Sequence, residues 1–176
     1  FDGSIAASYD TGSYTTSSPA VSDGWVWVED FFGSLYAFFG ILPVALRVAP
    51  GSQSMQVAPN SVADFVVGVT NLGSSGPDLF DINVTRGALG WPVELYWLDG
   101  VTPVEDSDSD GMPDTGWLGV DETVSMIIRV TVPSTAAPSE TEKSIARFTS
   151  TLDPTVSRPA TTYCLVPPPG VQIGPR

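Results

Sequence analysis

Asp106, Asp108, Asp110 and Asp114 occupy positions one, three, five and nine of the run Asp106-Ser107-Asp108-Ser109-Asp110-Gly111-Met112-Pro113-Asp114, which follows directly on Glu105. No Lys or Arg interrupts these acids, so they repel one another unless a cation gathers them. A hard divalent ion does this best. Side-chain oxygens at alternating positions converge on it, a backbone carbonyl follows at position seven, and glycine at position six permits the sharp turn. The spacing therefore predicts calcium held by Asp106, Asp108, Asp110, the carbonyl of Met112 and Asp114, with Gly111 at the turn. It points to a metal and not to a reaction.

An EF-hand would also need a bidentate Glu at position twelve and a helix on each side. Position twelve is Trp117, and both flanks alternate like strands, so the loop joins two strands and Asp114 takes the closing role. In this it resembles the calcium repeats of thrombospondin-like and dockerin-like modules. Such a loop supplies about five or six oxygens where calcium takes six to eight, so a neighbouring acid is expected to complete the shell. Asp99 is nearest in sequence and is expected first, with Asp78 and Asp81 behind it. The bland alternative is a solvated acidic turn without metal.

Composition removes much other chemistry. Histidine is absent from the 176 residues, which eliminates the commonest acid-base catalyst, the commonest zinc ligand and every Ser-His or Cys-His nucleophile. Cys164 is the single cysteine and lies in an alternating stretch from Thr161 to Val166, so a small core residue is expected in preference to a reactive thiol. Asp99 with Glu94 or Glu105 is imaginable as a glycosidase pair, but acids concentrated in one glycine-bearing loop are better explained as metal ligands. No enzyme is expected. A formal charge of −13 with seven basic residues excludes a nucleic-acid surface and an anionic membrane. The first basic residue is Arg47, so no signal peptide is expected in the chain, and a secreted protein would appear here already processed.

The elements that must position the loop read as strands. Sixteen Pro and seventeen Gly, with many Ser and Thr, favour short strands and turns over long helices. Phe65, Val67 and Val69 share a face; so do Phe80, Ile82 and Val84; so do Trp91, Val93, Leu95 and Trp97. Val124 to Val132 alternates most cleanly, and Ala146, Phe148, Ser150 and Leu152 precede a last strand from Ala160 to Val166. About seven short strands with turns every ten or so residues predict an all-β, immunoglobulin-like sandwich. Asn83-Val84-Thr85 is a glycosylation sequon with its Asn on the outer face.

Three stretches carry a family resemblance: Val69-Thr70-Asn71-Leu72-Gly73 followed by Asp78-Leu79-Phe80, Gly90-Trp91-Pro92-Val93-Glu94-Leu95-Tyr96 leading into the acidic loop, and Val130-Thr131-Val132-Pro133. Together they resemble the immunoglobulin-like repeats of secreted bacterial and archaeal surface proteins, over residues 44 to 166. That resemblance implies a stalk, adhesive or spacer module outside the cell. Residues 1–43 are not explained by it, and residues 167–176 are a Pro-rich tail.

The extension contains an apolar run from Phe31 to Leu46, too short and too broken by Gly33, Gly40 and Pro43 to span a membrane and preceded by acids, so it is expected to be buried in protein. Whether its pieces are helix or strand, periodicity leaves open. Folded under the sandwich or against another molecule, such a segment must be covered. An arm that adds to a sheet edge of the next subunit would build a head-to-tail homopolymer, and this is the expected function: an extracellular, pilus-like structural subunit braced by calcium. The competing expectation is a carbohydrate-binding or adhesive module that stacks surface glycans on Trp25, Trp27, Tyr36, Trp91, Tyr96, Trp97 or Trp117.

Overall fold

Runs of five to eleven alternating residues, each closed by Gly, Pro or Asn, are too short for stable helices and the right length for strands. The computed structural model describes residues 10, 12–15, 18–22, 25–39 and 42–169, and every regular element among them is a strand. No helix among the described residues is long and apolar enough to cross a membrane. The chain divides into two compact units, Phe1–Leu42 and Pro43–Arg176.

The first unit holds β1 (Ala20–Ser22), β2 (Trp25–Glu29) and β3 (Leu35–Phe39), an antiparallel sheet in that order. Trp27 stands opposite Ala37 and Val28 opposite Tyr36. For 35–39 the segment is a strand, because three of its five residues are aromatic, which favours the pleat, and the six residues between Gly33 and Gly40 are too few for a stable helix.

The β2–β3 turn is built around one carboxylate. Asp30 is buried, and its Oδ1 accepts the amides of Phe32 at 2.9 Å and Ser34 at 2.8 Å, while Oδ2 accepts the Tyr36 hydroxyl at 3.2 Å. These bonds, that from the Ser34 amide foremost, hold the Asp30 carboxyl below the usual range. Gly33 takes a φ of +82°, which an L side chain resists. With the backbone turned inward, the side chains go out: Phe31 is 68 % exposed and Phe32 81 %, their rings edge to face at 5.8 Å. The expectation that the run from Phe31 is buried is thus corrected for Phe31, Phe32 and Leu35, all of which face solvent.

The second unit is a sandwich of nine strands: β4 (Leu46–Ala49), β5 (Ser52–Gln56), β6 (Ser61–Asn71), β7 (Asp78–Thr85), β8 (Val93–Trp97), β9 (Asp114–Leu118), β10 (Thr123–Val132), β11 (Thr141–Ser150) and β12 (Ser157–Leu165). One sheet runs β4-β6-β10-β8 and the other β5-β12-β11-β7-β9. This is the immunoglobulin-like arrangement. Two features raise the count above the expected seven. The first strand splits at Pro50-Gly51, β4 pairing antiparallel with β6 and β5 parallel with β12. The far flank of the acidic loop, β9, extends the second sheet beside β7.

Inward positions alternate as expected. Phe65, Val67 and Val69 of β6, Phe80 and Ile82 of β7, Met126, Ile128 and Val130 of β10 and Phe148 of β11 are all buried, and withdrawing each from water contributes roughly 1.5–3 kcal/mol. Leu152 breaks the pattern and is exposed, because β11 ends at Ser150 and the chain turns at Asp153. Cys164 is buried, and desolvation, with Glu142 opposite it, pushes its thiol up to about 11.

Two polar devices fix the strand ends. Buried Asn71 donates to the carbonyls of Gly76 at 3.0 Å and Leu118 at 2.9 Å and accepts the Gly73 amide at 2.9 Å, tying the β6–β7 loop to the end of β9. Arg129 grips Asp64 through two bonds of 2.7 Å, donates to the Gly100 carbonyl at 3.1 Å and lies 4.7 Å over the Tyr96 ring. Asn71→Ala leaves buried groups unpaired and is expected to cost about 2–4 kcal/mol, read as a lower urea midpoint with unchanged slope. Cys164 is expected to resist iodoacetamide at pH 8 in the native protein and to react fully in urea; native labelling at the denatured rate would refute its burial.

Candidate metal centre

The acidic loop begins as the chain leaves one sheet and ends as it joins the other. β8 lies in the first sheet and β9 in the second, so the loop caps one side of the sandwich. Its closure rests on Asp114, which is 1 % exposed. Asp114 Oδ2 accepts the Ser107 amide at 2.6 Å, and Oδ1 accepts the Ser107 hydroxyl at 2.7 Å and the Gly116 amide at 2.6 Å. Its own amide donates to the Glu105 carbonyl at 3.0 Å, so the two ends of the loop are fastened together.

Within the loop each acid organises the backbone that follows it. Asp106 Oδ1 accepts the amides of Ser109 at 2.7 Å and Asp110 at 3.2 Å, and its Oδ2 accepts that of Gly111 at 2.8 Å. Asp110 Oδ1 accepts the Met112 amide at 2.8 Å. Gly111 sits at φ +99° and Ser109 at +67°, the left-handed conformations that the tight wrap demands. Strained backbone and converging carboxylates are thus produced by the same few bonds.

Carboxylate oxygens of Asp106, Asp108 and Asp114 lie within 4.8 Å of one another, and so do those of Asp81, Asp108 and Asp110. Asp108 belongs to both sets. Asp81 comes from β7, where it stands in register with Asp114 across a β-bulge between Leu79 and Asp81. The alternation that buries Phe80 and Ile82 turns Asp81 to the outer face, beneath the loop. Asp81 Oδ1 is shielded from solvent and has no hydrogen-bond partner among the described residues. Desolvation first, then the charges of Asp110, Asp108, Asp114 and Asp106, raise its carboxyl to about 6. Desolvation foremost also raises Asp108, whereas amide bonds, that of Gly111 foremost, lower Asp106.

Asp106, Asp108, Asp110 and Asp114 are therefore brought together, and the acid that joins them is not the one expected first. Asp99 instead closes its own turn after β8, where it accepts the amides of Val101 at 2.9 Å and Thr102 at 2.8 Å and the Thr102 hydroxyl at 2.5 Å. Those bonds, the Thr102 hydroxyl foremost, lower its carboxyl, and it belongs to neither acidic group. Proximity in sequence misled, because nearness along the chain matters less here than strand register. Asp78 points inward and accepts the Ser150 hydroxyl at 2.6 Å and the Leu79 amide at 2.8 Å. Met112 contributes its amide to the loop as described, and its carbonyl remains the sequence expectation. Trp117, on β9, is 61 % exposed. Asn83 of the sequon is exposed as well.

No family model and no curated protein matches the chain. Among solved structures it is similar to the PapD-like domain 7 of human CEP192 (9 % identity, 74 % of this chain and 89 % of that one, TM-score 0.43). It is similar also to the E. coli chaperone DraB (15 % identity, 74 % and 58 %, TM-score 0.39). A family 123 glycoside hydrolase from Clostridium perfringens aligns too (9 % identity, 72 % and 27 %, TM-score 0.47). These likenesses assign neither activity nor partner.

Calcium at these carboxylates would relieve the charge crowding, and two outcomes separate that from a bare acidic turn. At free calcium about a hundredfold above Kd, the melting temperature is expected to rise by roughly 5–10 °C. Asp81→Asn removes a desolvated charge, so it is expected to stabilise the chelated protein slightly while abolishing most of the calcium-induced rise. Equal calcium shifts in wild type and Asp81→Asn would remove Asp81 from the centre.

Proposed function

We propose that this chain is an extracellular structural subunit that assembles with copies of itself through its N-terminal unit, with calcium bracing the sandwich. The observation that carries the reading is Asp81: a carboxylate oxygen shielded from water, without a hydrogen-bond partner among the described residues, set against the carboxylates of Asp108 and Asp110. An arrangement of that kind is costly alone and is repaired by a hard cation coordinated through Asp81, Asp106, Asp108, Asp110, Asp114 and the Met112 carbonyl. The assembly half of the reading is supported by the built turn of the first unit, which spends a buried carboxylate on presenting two phenylalanines to solvent. The lack of histidine and the use of the acids within one loop support a role without catalysis.

Negative-stain electron microscopy with calcium and with chelator tests this directly. Filaments or tubes that form with calcium and thin out with chelator are expected. Deletion of the first unit, residues 1–42, is expected to leave a folded, soluble monomer, and polymers that persist after it would sink the arm-based assembly.

One observation favours a second reading. Trp117 is exposed on the strand that ends the acidic loop, where an aromatic face beside a cation suits a sugar ring. In that reading the chain is a calcium-dependent glycan-binding module. A flat saccharide-array response with calcium, unchanged by Trp117→Ala, would eliminate it.

A further inference from the structure

The chain has three asparagines, and one of them stands two residues before a hydroxyl. Asn60 is followed at that position by Val62 and Asn71 by Gly73, whereas Asn83 is followed by Thr85, with Val84 between them. Asn and Thr separated by a residue other than proline form an acceptor for N-linked sugar. The fold separates the three asparagines further. The Asn71 side chain is consumed inside the sandwich by its bonds to Gly73, Gly76 and Leu118. Asn83 and Thr85 are both exposed and share the outer face of β7, while Val84 packs against the core.

The sequon also coincides with the uncovered end of its strand. On one side β7 pairs with β11 to its last residue, Asn83 standing opposite Arg147 and Thr85 opposite Ile145. On the other side β9 stops short. Its pairing runs from Asp78 to Asp81, and the Ile82 amide donates to the Pro113 carbonyl at 2.8 Å, but no strand among the described residues pairs with 83–85 there. A glycan on Asn83 would therefore meet no neighbouring strand on that side, and it would blunt a stretch of open edge that another chain could otherwise extend.

We propose that Asn83 is an N-glycosylation site. The proposal rests on the extracellular reading above, because this transfer acts on chains leaving the cytoplasm. The amide nitrogen of Asn83 bonds to the anomeric carbon of an oligosaccharide carried on a lipid diphosphate. The bond from that carbon to the diphosphate oxygen breaks, the diphosphate keeps the electron pair, and the nitrogen gives one proton to a base of the transferring enzyme. In the finished strand Asn83 and Thr85 lie about 7 Å apart, two residues at a rise of about 3.4 Å, too far for the hydroxyl to assist the amide. Order of synthesis removes that obstacle. The β11 residues that hold this end of β7 extended, Ile145 to Arg147, come much later in the chain, so the sequon can bend for transfer before they pair with it.

The test uses the full chain isolated from the medium or surface of the cells that make it. Trypsin cuts after Arg47 and Arg86, which places all three asparagines in one peptide, 48–86. Most of that peptide is expected to carry a sugar mass that fragmentation places on Asn83. Thr85→Ser is expected to keep the modification. Thr85→Val is expected to lower occupancy about tenfold or more with an unchanged melting temperature, the position being exposed and valine suited to a strand. An unmodified peptide from a chain found outside the cell would overturn the proposal and leave the extracellular reading standing. Sugar that persists in both Thr85→Val and Asn83→Gln would overturn it in favour of attachment through a Ser or Thr hydroxyl. A chain found unmodified and only in the cytoplasm would remove the extracellular reading and the site together.

Discussion

The acidic side of the sandwich depends on one unfavourable pairing: Asp81 of β7 stands directly opposite Asp114 of β9. Like charges across neighbouring strands destabilise a sheet, and here one of them is almost wholly buried. Asp114 is made tolerable by the three donors it receives from Ser107 and Gly116, which at the same time fasten the loop shut. Asp81 receives no such relief at Oδ1 among the described residues, and the closed loop brings Asp108 and Asp110 onto it. Loop closure and charge crowding are therefore two faces of the same set of bonds. One cannot be relaxed without undoing the other.

Much of this was legible in the sequence for a simple reason. Strand faces follow a period of two, so Phe65, Val67 and Val69, or Met126, Ile128 and Val130, announce their burial locally. The loop's own acids are local as well, their spacing being the spacing of ligands. What was not legible is what depends on register between strands far apart in sequence. Asp81 and Asp114 meet through a bulged pairing that no window of residues reveals, and Asp99, chosen for nearness, is consumed by its own turn. The split of the first strand was hidden in the same way, since β4 and β5 read as one stretch until their partners, β6 and β12, are known. The Phe-rich run misled differently: hydrophobicity predicted burial, whereas a single capping carboxylate at Asp30 reverses the direction of two side chains.

The sandwich draws all nine of its strands from one continuous stretch of chain, and both pieces of its first strand are in place. Among the described residues it has no missing central strand for an arm to supply. Its edge strands are β4 and β8 in one sheet and β5 and β9 in the other, and the acidic loop runs between β8 and β9. That sets two of the four edges, β8 and β9, at the ends of the acidic loop, so the charge of the loop lies beside them.

The parallel pairing of β5 with β12 has a mechanical meaning. Five residue pairs, from Ser52 with Thr161 to Gln56 with Leu165, lie side by side with both strands running the same way. Tension that enters the sandwich ahead of β5 and leaves it after β12 pulls these two strands in opposite directions along their common axis. Their hydrogen bonds are then loaded together in shear and must fail as a group, whereas an antiparallel hairpin pulled at its open end unzips by losing its bonds in succession. A load applied between β5 and β12 would therefore meet the whole five-pair ladder at once, while β4, which precedes β5, is held separately in antiparallel register with β6.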